Sequence, residues 1–581
     1  MIKNINNMIF KTTAVLSLGI TLNSCDLDLL PEDSLSPDTY FTSSANLELW
    51  TNSFYTMLDN ADVSSKNADD VIDRTPEDLI VGTRSASTET GWNWKQLRLI
   101  NQYLQYSVNC TDESARKQYD GTAHFFRAYF YFVKVRRYGD VPYYEQVLDS
   151  DNAESLTKPR DDRGFVMDKV MEEFDLAINM LPTNKSISRV TKWSALAFKA
   201  RAALYEGTFR KYHGLNDADK YLTIAAEAAK KFIDNSGYSI YKSGNEPYRE
   251  LFYSDVAKSD EVILARIYND DLKVAHSIPH TIKSLAQGFT KRFMNHYLMA
   301  DGTFFSSQDN YGKKLFIEEV VNRDPRLAQT VLTPGYIQIG ETKTTINDLS
   351  SVTGYRPIKF VAETEYDGSD KAVSDFPIIR TAEVYLIYAE AMAELGTITQ
   401  SDLDMSVNKI RARVGMPNIK LDMANNNIDP LMTEYYPNVT KSPNTGIILE
   451  IRRERTIELT MEGHRVWDML RWKEGAQMTN KLNPYLGCYF TGAGTYDMDN
   501  DGNEDLELFS NQPTSSVSVK KGIGTDIVLS NNTFGNVVAF SQIEYSWNEN
   551  RDYLWPIPAN QRVITSGQLT QNKGWDDGLS F

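Results

Sequence analysis

The sequence predicts a mostly α fold: tetratricopeptide-like helical pairs with irregular loops and short β-hairpins. Three observations carry this. Long blocks of helical periodicity follow one another across short turns. Alanines gather where helices would cross, as small residues allow close approach. Turn residues and β-branched clusters fill the stretch from Gly237 to Phe376 and the chain after Asn483, which suits loops, hairpins and short strands.

The elements follow in order. Tyr119 to Tyr138 is dense in apolar and aromatic residues, among them Phe125, Phe126, Tyr129, Phe130, Phe132 and Val133. Arg136 and Arg137 suit the negative end of that helix, and Gly139 stops it. Phe165, Val166, Val170, Phe174, Ile178 and Leu181 mark one face of a second helix, ended by Pro182. Lys192 to Gly207 and Asp217 to Ile233 are alanine-rich, the latter broken by Gly237. Further helices are expected over Phe376 to Leu395, Asp402 to Val414 and Gly446 to Arg471. No strict repeat period can be counted, so the architecture rests on helix length and turn spacing.

Composition narrows function. With 61 Lys+Arg against 78 Asp+Glu, the chain is at −17 and lacks the basic footprint of a nucleic-acid binder. Three Cys and six His exclude a disulfide framework or several zinc sites. The 32 Tyr, 25 Phe and 9 Trp suit either wet interfaces or sugar-binding surfaces. Residues 1–24 read as a signal peptide, with Lys3 and Lys11 before an apolar run from Thr12 to Leu22. Leu22-Asn23-Ser24-Cys25 has the form of a bacterial lipobox, making Cys25 the lipidation site. Residues 25–40 read as a lipidated acidic tether punctuated by Pro31 and Pro37. The membrane is therefore reached through the lipid anchor only.

Charged residues on the later helices have the types that catalysis would need. Glu450, Glu454, Glu458 and Glu462 recur every four residues, with Arg453, Arg455 and Arg465 at ion-pair spacing. Interleaving with arginine points to a structural network rather than a glycosidase pair. Pro279 spoils a two-histidine metal face at His276 and His280. One loop has the form of an ion site: Asp497, Asp499 and Asp501 alternate, Gly502 turns, and Asp505 follows. Alternating carboxylates place oxygens inside a tight loop, which suits structural calcium. Leu508 stands where an EF-hand has its bidentate Glu, and the competing state is a solvated acidic turn.

Taken in order, several segments resemble the SusD/RagB family of Bacteroidota surface lipoproteins. They are Ala123-His-Phe-Phe-Arg-Ala-Tyr-Phe-Tyr-Phe, Arg137-Tyr-Gly-Asp-Val-Pro, and Leu204-Tyr-Glu-Gly. Further on come Asn322-Arg-Asp-Pro-Arg-Leu, Pro377-Ile-Ile-Arg-Thr-Ala-Glu, Asn408-Lys-Ile-Arg-Ala-Arg-Val-Gly, Glu462-Gly-His-Arg, Leu554-Trp-Pro-Ile-Pro and Gln571-Asn-Lys-Gly-Trp. The resemblance implies a SusD-like body with an N-terminal helical half at 41–245 and a C-terminal half at 246–581. It implies a non-enzymatic glycan binder on the extracellular face of the outer membrane, serving a SusC-like TonB-dependent transporter. A peptide-binding or structural lid of such a transporter is the alternative, and a surface glycosidase is a poorer one. Trp92 and Trp94, just before a helix holding Asn101, are candidates to meet the glycan. The competing arrangement buries one or both rings beneath the helix. Tyr297, Phe304 and Tyr311 line a second aromatic loop and are weaker candidates.

Overall fold

The computed structural model describes residues 37–59, 68–148, 157–479 and 485–581. Cys25, its lipobox and most of the acidic tether lie outside them; the tether's last residues, Pro37–Tyr40, form a helical turn. Helix α1 (Ser44–Asn52) starts at Ser43, whose side chain accepts the Asn46 N–H. Helix α2 spans Lys95–Tyr106. Helix α3 (Glu113–Tyr138) is capped by Asp112, carries Arg136 and Arg137 in its last turn and ends at Gly139, where φ is +75°. Helix α4 (Arg163–Met180) is capped by Asp162, and α5 (Lys192–His213) opens on a Thr191/Ser194 capping box. Helix α6 is Ala218–Asn235.

These helices form a row. Helix α3 packs on α4, α4 on α5 and α5 on α6. The alanines serve this: Ala225, Ala226, Ala228 and Ala229 are buried on α6. Gly207 lies so near α6 that a Cβ there would meet Leu222 at 2.8 Å.

The C-terminal half continues the row instead of building its own. The expected helix from Phe376 to Leu395 is two elements. Strand β1 (Val262–Arg266) pairs antiparallel with β2 (Phe376–Arg380), and only then does α7 (Thr381–Glu394) begin. The β-branched Ile378 and Ile379 favour the strand. Helix α7 packs on α6 from the N-terminal half, and one hydrophobic cluster draws residues from both halves. The block from Asp402 to Val414 breaks at Ser406 into α8 (Gln400–Met405) and α9 (Val407–Arg413). The block from Gly446 to Arg471 splits into α10 (Thr445–Glu458), which packs on α7, and α11 (Arg465–Arg471). Between them Met461 and Gly463 take φ of +60° and +78°, which no helix contains.

The glutamates of α10 are structural, but their partners differ from those expected. Arg453 does pair with Glu450, at 3.2 Å. Arg455 turns instead to Asp468, and Arg465 to Asp69. Distant arginines hold the rest: Arg326 and Arg411 reach Glu454, while Arg326, Arg380 and Arg413 converge on Glu458. Lys359 and Arg380 hold Glu462. Burial alone would raise the Glu458 pKa; Arg413, Arg380 and Arg326 outweigh it and bring the carboxyl down to about 2.

The last part of the chain is strand and loop. Strands β3 (Leu486–Phe490) and β7 (Gly535–Val538) pair antiparallel. Strands β4 (Gly494–Tyr496), β5 (Leu506–Phe509) and β6 (Val519–Gly522) form a second sheet, antiparallel then parallel. The tail then returns to the first helices and is clasped there. Trp555 N–H donates to the Arg137 carbonyl at 2.8 Å, and the Asn572 amide to the Tyr138 carbonyl at 2.9 Å. The short helix α12 (Ala559–Ile564) is thereby set beside the start of α2. Among the described residues, no helix is long and apolar enough to cross a membrane.

Candidate functional site

The turn that carries Trp92 and Trp94 is held from below. Glu89 Oε1 accepts the Gly91 N–H at 2.6 Å and the Tyr138 hydroxyl at 2.7 Å. Arg137 pairs with the same carboxylate at 2.8 Å. Lys134 donates to the Gly91 carbonyl at 2.5 Å. A Cβ on Gly91 would lie 2.5 Å from the Tyr138 hydroxyl oxygen and 2.7 Å from Glu89 Oε1, so a side chain there would have to displace this cluster. Burial and the nearby Arg137 charge pull the Lys134 ammonium down to about 8, against the pull of Glu89.

This scaffold sorts the two indoles. Trp92 is only 9% exposed, edge-on to Tyr138 at 4.9 Å and to Trp94 at 5.3 Å. Trp94 is half-buried, against Phe130 at 5.4 Å and Tyr144 at 6.0 Å. Both line a cavity of about 360 Å³ whose other walls are the first turns of α2, the segment 144–148 and α12. Lys95, Arg98 and Gln146 contribute polar groups; Leu148 and Ile564 contribute apolar surface, Ile564 being 68% exposed.

Asn101 also lines the cavity, but its role differs from the one expected. Its amide donates to the carbonyls of Tyr144 and Gln146, both at 3.1 Å, and so fixes the cavity wall. The Tyr131 hydroxyl supports the same wall, accepting the Tyr144 N–H and donating to its carbonyl. Behind this wall lies a polar chamber of about 750 Å³, which Asn101, Gln146 and Val147 also line. Asp120, His124 and Arg127 belong to it, the last two held by Glu173 at 2.7 and 2.6 Å.

The second aromatic loop is a different matter. Tyr297 is fully buried, so no face of its ring can meet a ligand. Phe304 is half-buried with the Arg453 guanidinium 5.5 Å from its ring centre, and Tyr311 is half-buried against Phe305. Neither lines the Trp94 cavity.

The acidic loop joins β4 to β5. Carboxylate oxygens of Asp497, Asp499 and Asp501 lie within 4.8 Å of one another. Asp505 is not part of that group; its carboxylate accepts the Met498 N–H at 2.8 Å. Asp497 also accepts the Asn500 and Gly502 N–H groups, which draws the turn tight. Burial and the charges of Asp505 and Asp501 raise the Asp499 pKa, so this loop concentrates negative charge.

Residues 261–575 match a family described as the SusD family, and residues 83–204 one described as starch-binding, associating with the outer membrane. SusD-like protein P38 of Formosa agariphila is 23% identical over 527 residues, covering 83% of this chain and 94% of that protein. SusD-like protein P2 of the same organism is 24% identical over 512 residues, covering 82% and 93%. The fold matches a SusD-like protein of Bacteroides fragilis with a TM-score of 0.69 at 21% identity, covering 93% of this chain and 98% of that one. A SusD-like carbohydrate-binding protein of the same species matches with a TM-score of 0.67 at 22% identity, covering 90% and 99%.

Proposed function

Since this chain belongs to the SusD family, we propose that it captures glycan at the outer membrane and passes it to a SusC-like TonB-dependent transporter. The observation that carries this reading is the cavity at Trp94. An indole with a polar rim of Lys95, Arg98 and Gln146 offers a stacking face and hydrogen-bonding groups to one sugar ring. The description of the matched N-terminal family, starch-binding and associating with the outer membrane, points the same way. Lipidation at Cys25 would hold the body at the surface, with the helical row as the transporter-facing scaffold.

Binding without turnover fits the state of the α10 carboxylates. Glu454 and Glu458 are fully buried and held by arginine, so neither is placed to protonate a glycosidic oxygen. A structural calcium ion held by Asp497, Asp499 and Asp501 belongs to the same proposal.

The test is a binding screen of the protein against varied polysaccharides by affinity electrophoresis and calorimetry. Retention by at least one glycan, lost in Trp94→Ala, is expected. Association with the transporter and no glycan affinity would replace this reading with a peptide-binding or structural lid. Release of reducing sugar by the pure protein would make it a hydrolase.

A further inference from the structure

We infer that the Trp94 cavity is built for an acidic glycan, one carrying carboxylate or sulfate groups. This rests on the glycan-binding reading of the same cavity. The chain as a whole is acidic, with 78 Asp+Glu against 61 Lys+Arg. Among the described residues the cavity reverses that sign: Lys95, Arg98 and Lys158 line it, and no described Asp or Glu does.

The basic groups sit where a bound sugar's substituents would point. Lys95 and Arg98 are three apart in the first turn of α2, so they share a helical face, and both are exposed. Arg98 gives one N–H to the Leu148 carbonyl at 3.0 Å, which steadies the guanidinium across the cavity. Among the described residues, neither Lys95 nor Arg98 forms an ion pair, whereas Lys158 is paired with Asp161 at 2.6 Å. The first turn of α2 has no acidic residue, so the helix end adds to the positive field, although the neutral Asn93 side chain accepts the Lys95 N–H at 2.9 Å.

Two described acids lie across one wall. Asp120 and Glu145 line the polar chamber behind the segment 144–148. The described charged groups around the indole's cavity are thus basic, while the chamber behind the segment is mixed, with Asp120 and Glu145 beside Arg127. A sugar stacked on Trp94 would hold an anionic substituent against Arg98 and Lys95 through charge-assisted hydrogen bonds, which are shorter and stronger than neutral ones.

Calorimetry of the protein against polygalacturonate, carboxyl-reduced polygalacturonate, a sulfated galactan and its desulfated form tests the inference. Lys95→Ala/Arg98→Ala and Trp94→Ala are run beside it, each with a melting curve. Expected is binding of one acidic polymer and not its neutral counterpart, with the polymer retained identifying carboxylate or sulfate. The Lys95→Ala/Arg98→Ala protein should bind about ten-fold more weakly or worse, with an unchanged melting temperature. Added salt should weaken the wild-type protein far more than this variant. Binding of neutral polymers through Trp94, indifferent to the paired substitution, would overturn the inference and leave glycan capture standing. Acidic polymers held equally by the paired variant would overturn it too, as diffuse attraction. Retention of no polysaccharide would overturn both readings.

Discussion

Two tryptophans two positions apart do different work. Trp92 is walled in by Tyr138 and Trp94, so its loss leaves a cavity; Trp92→Ala should cost about 3–5 kcal/mol and show as a clear fall in melting temperature. Trp94 faces the site, so Trp94→Ala should abolish glycan retention with a much smaller thermal effect. Chemical denaturation of both variants, run beside affinity electrophoresis, separates these outcomes. Local sequence reading places both indoles behind a glycine and ahead of a helix, and could go no further. Which of them is covered depends on Tyr138 and Phe130, far along the chain on α3. Asn101 shows the same limit: the carbonyls that occupy its amide are brought to it only by folding.

At the scale of elements, the buried ion network of α10 sets the behaviour with pH. Glu458→Gln leaves Arg380 and Arg413 facing a neutral group, and should destabilise by about 3–5 kcal/mol in urea titrations. Glu458, Glu383 and Asp468 are each held down at about 2 in the fold, below their unfolded values. Burial opposes each shift, and arginine contacts overcome it. A depressed carboxylate stabilises above its unfolded pKa and loses that contribution as pH falls toward the folded one. Thermal midpoints should therefore hold near neutrality and drop steeply between about pH 4.5 and pH 2. For the β4–β5 loop, calcium should raise the melting temperature of the metal-stripped protein, and Asp497→Asn/Asp501→Asn should remove that rise. The helical row was legible in the sequence because alanine spacing, caps and stop residues act locally. Strand β2 was not, since its partner β1 lies over a hundred residues upstream. The α10 partners were hidden for the same reason; spacing proposes neighbours along a helix but not arginines from Arg326 or Arg380.

At the scale of the molecule, the two halves are one body. Helix α7 packs on α6, so the fragment 41–245 by itself would leave an apolar helix face uncovered. The tail matters as much: residues 561–569 form one wall of the Trp94 cavity, and the clasp at Arg137 and Tyr138 holds them there. A chain ended at residue 550 should keep most of its helical circular dichroism and lose all glycan retention. That clasp also has a meaning in time. Ribosomes make the indoles long before residues 561–569, so the cavity can close only after that distant wall has followed.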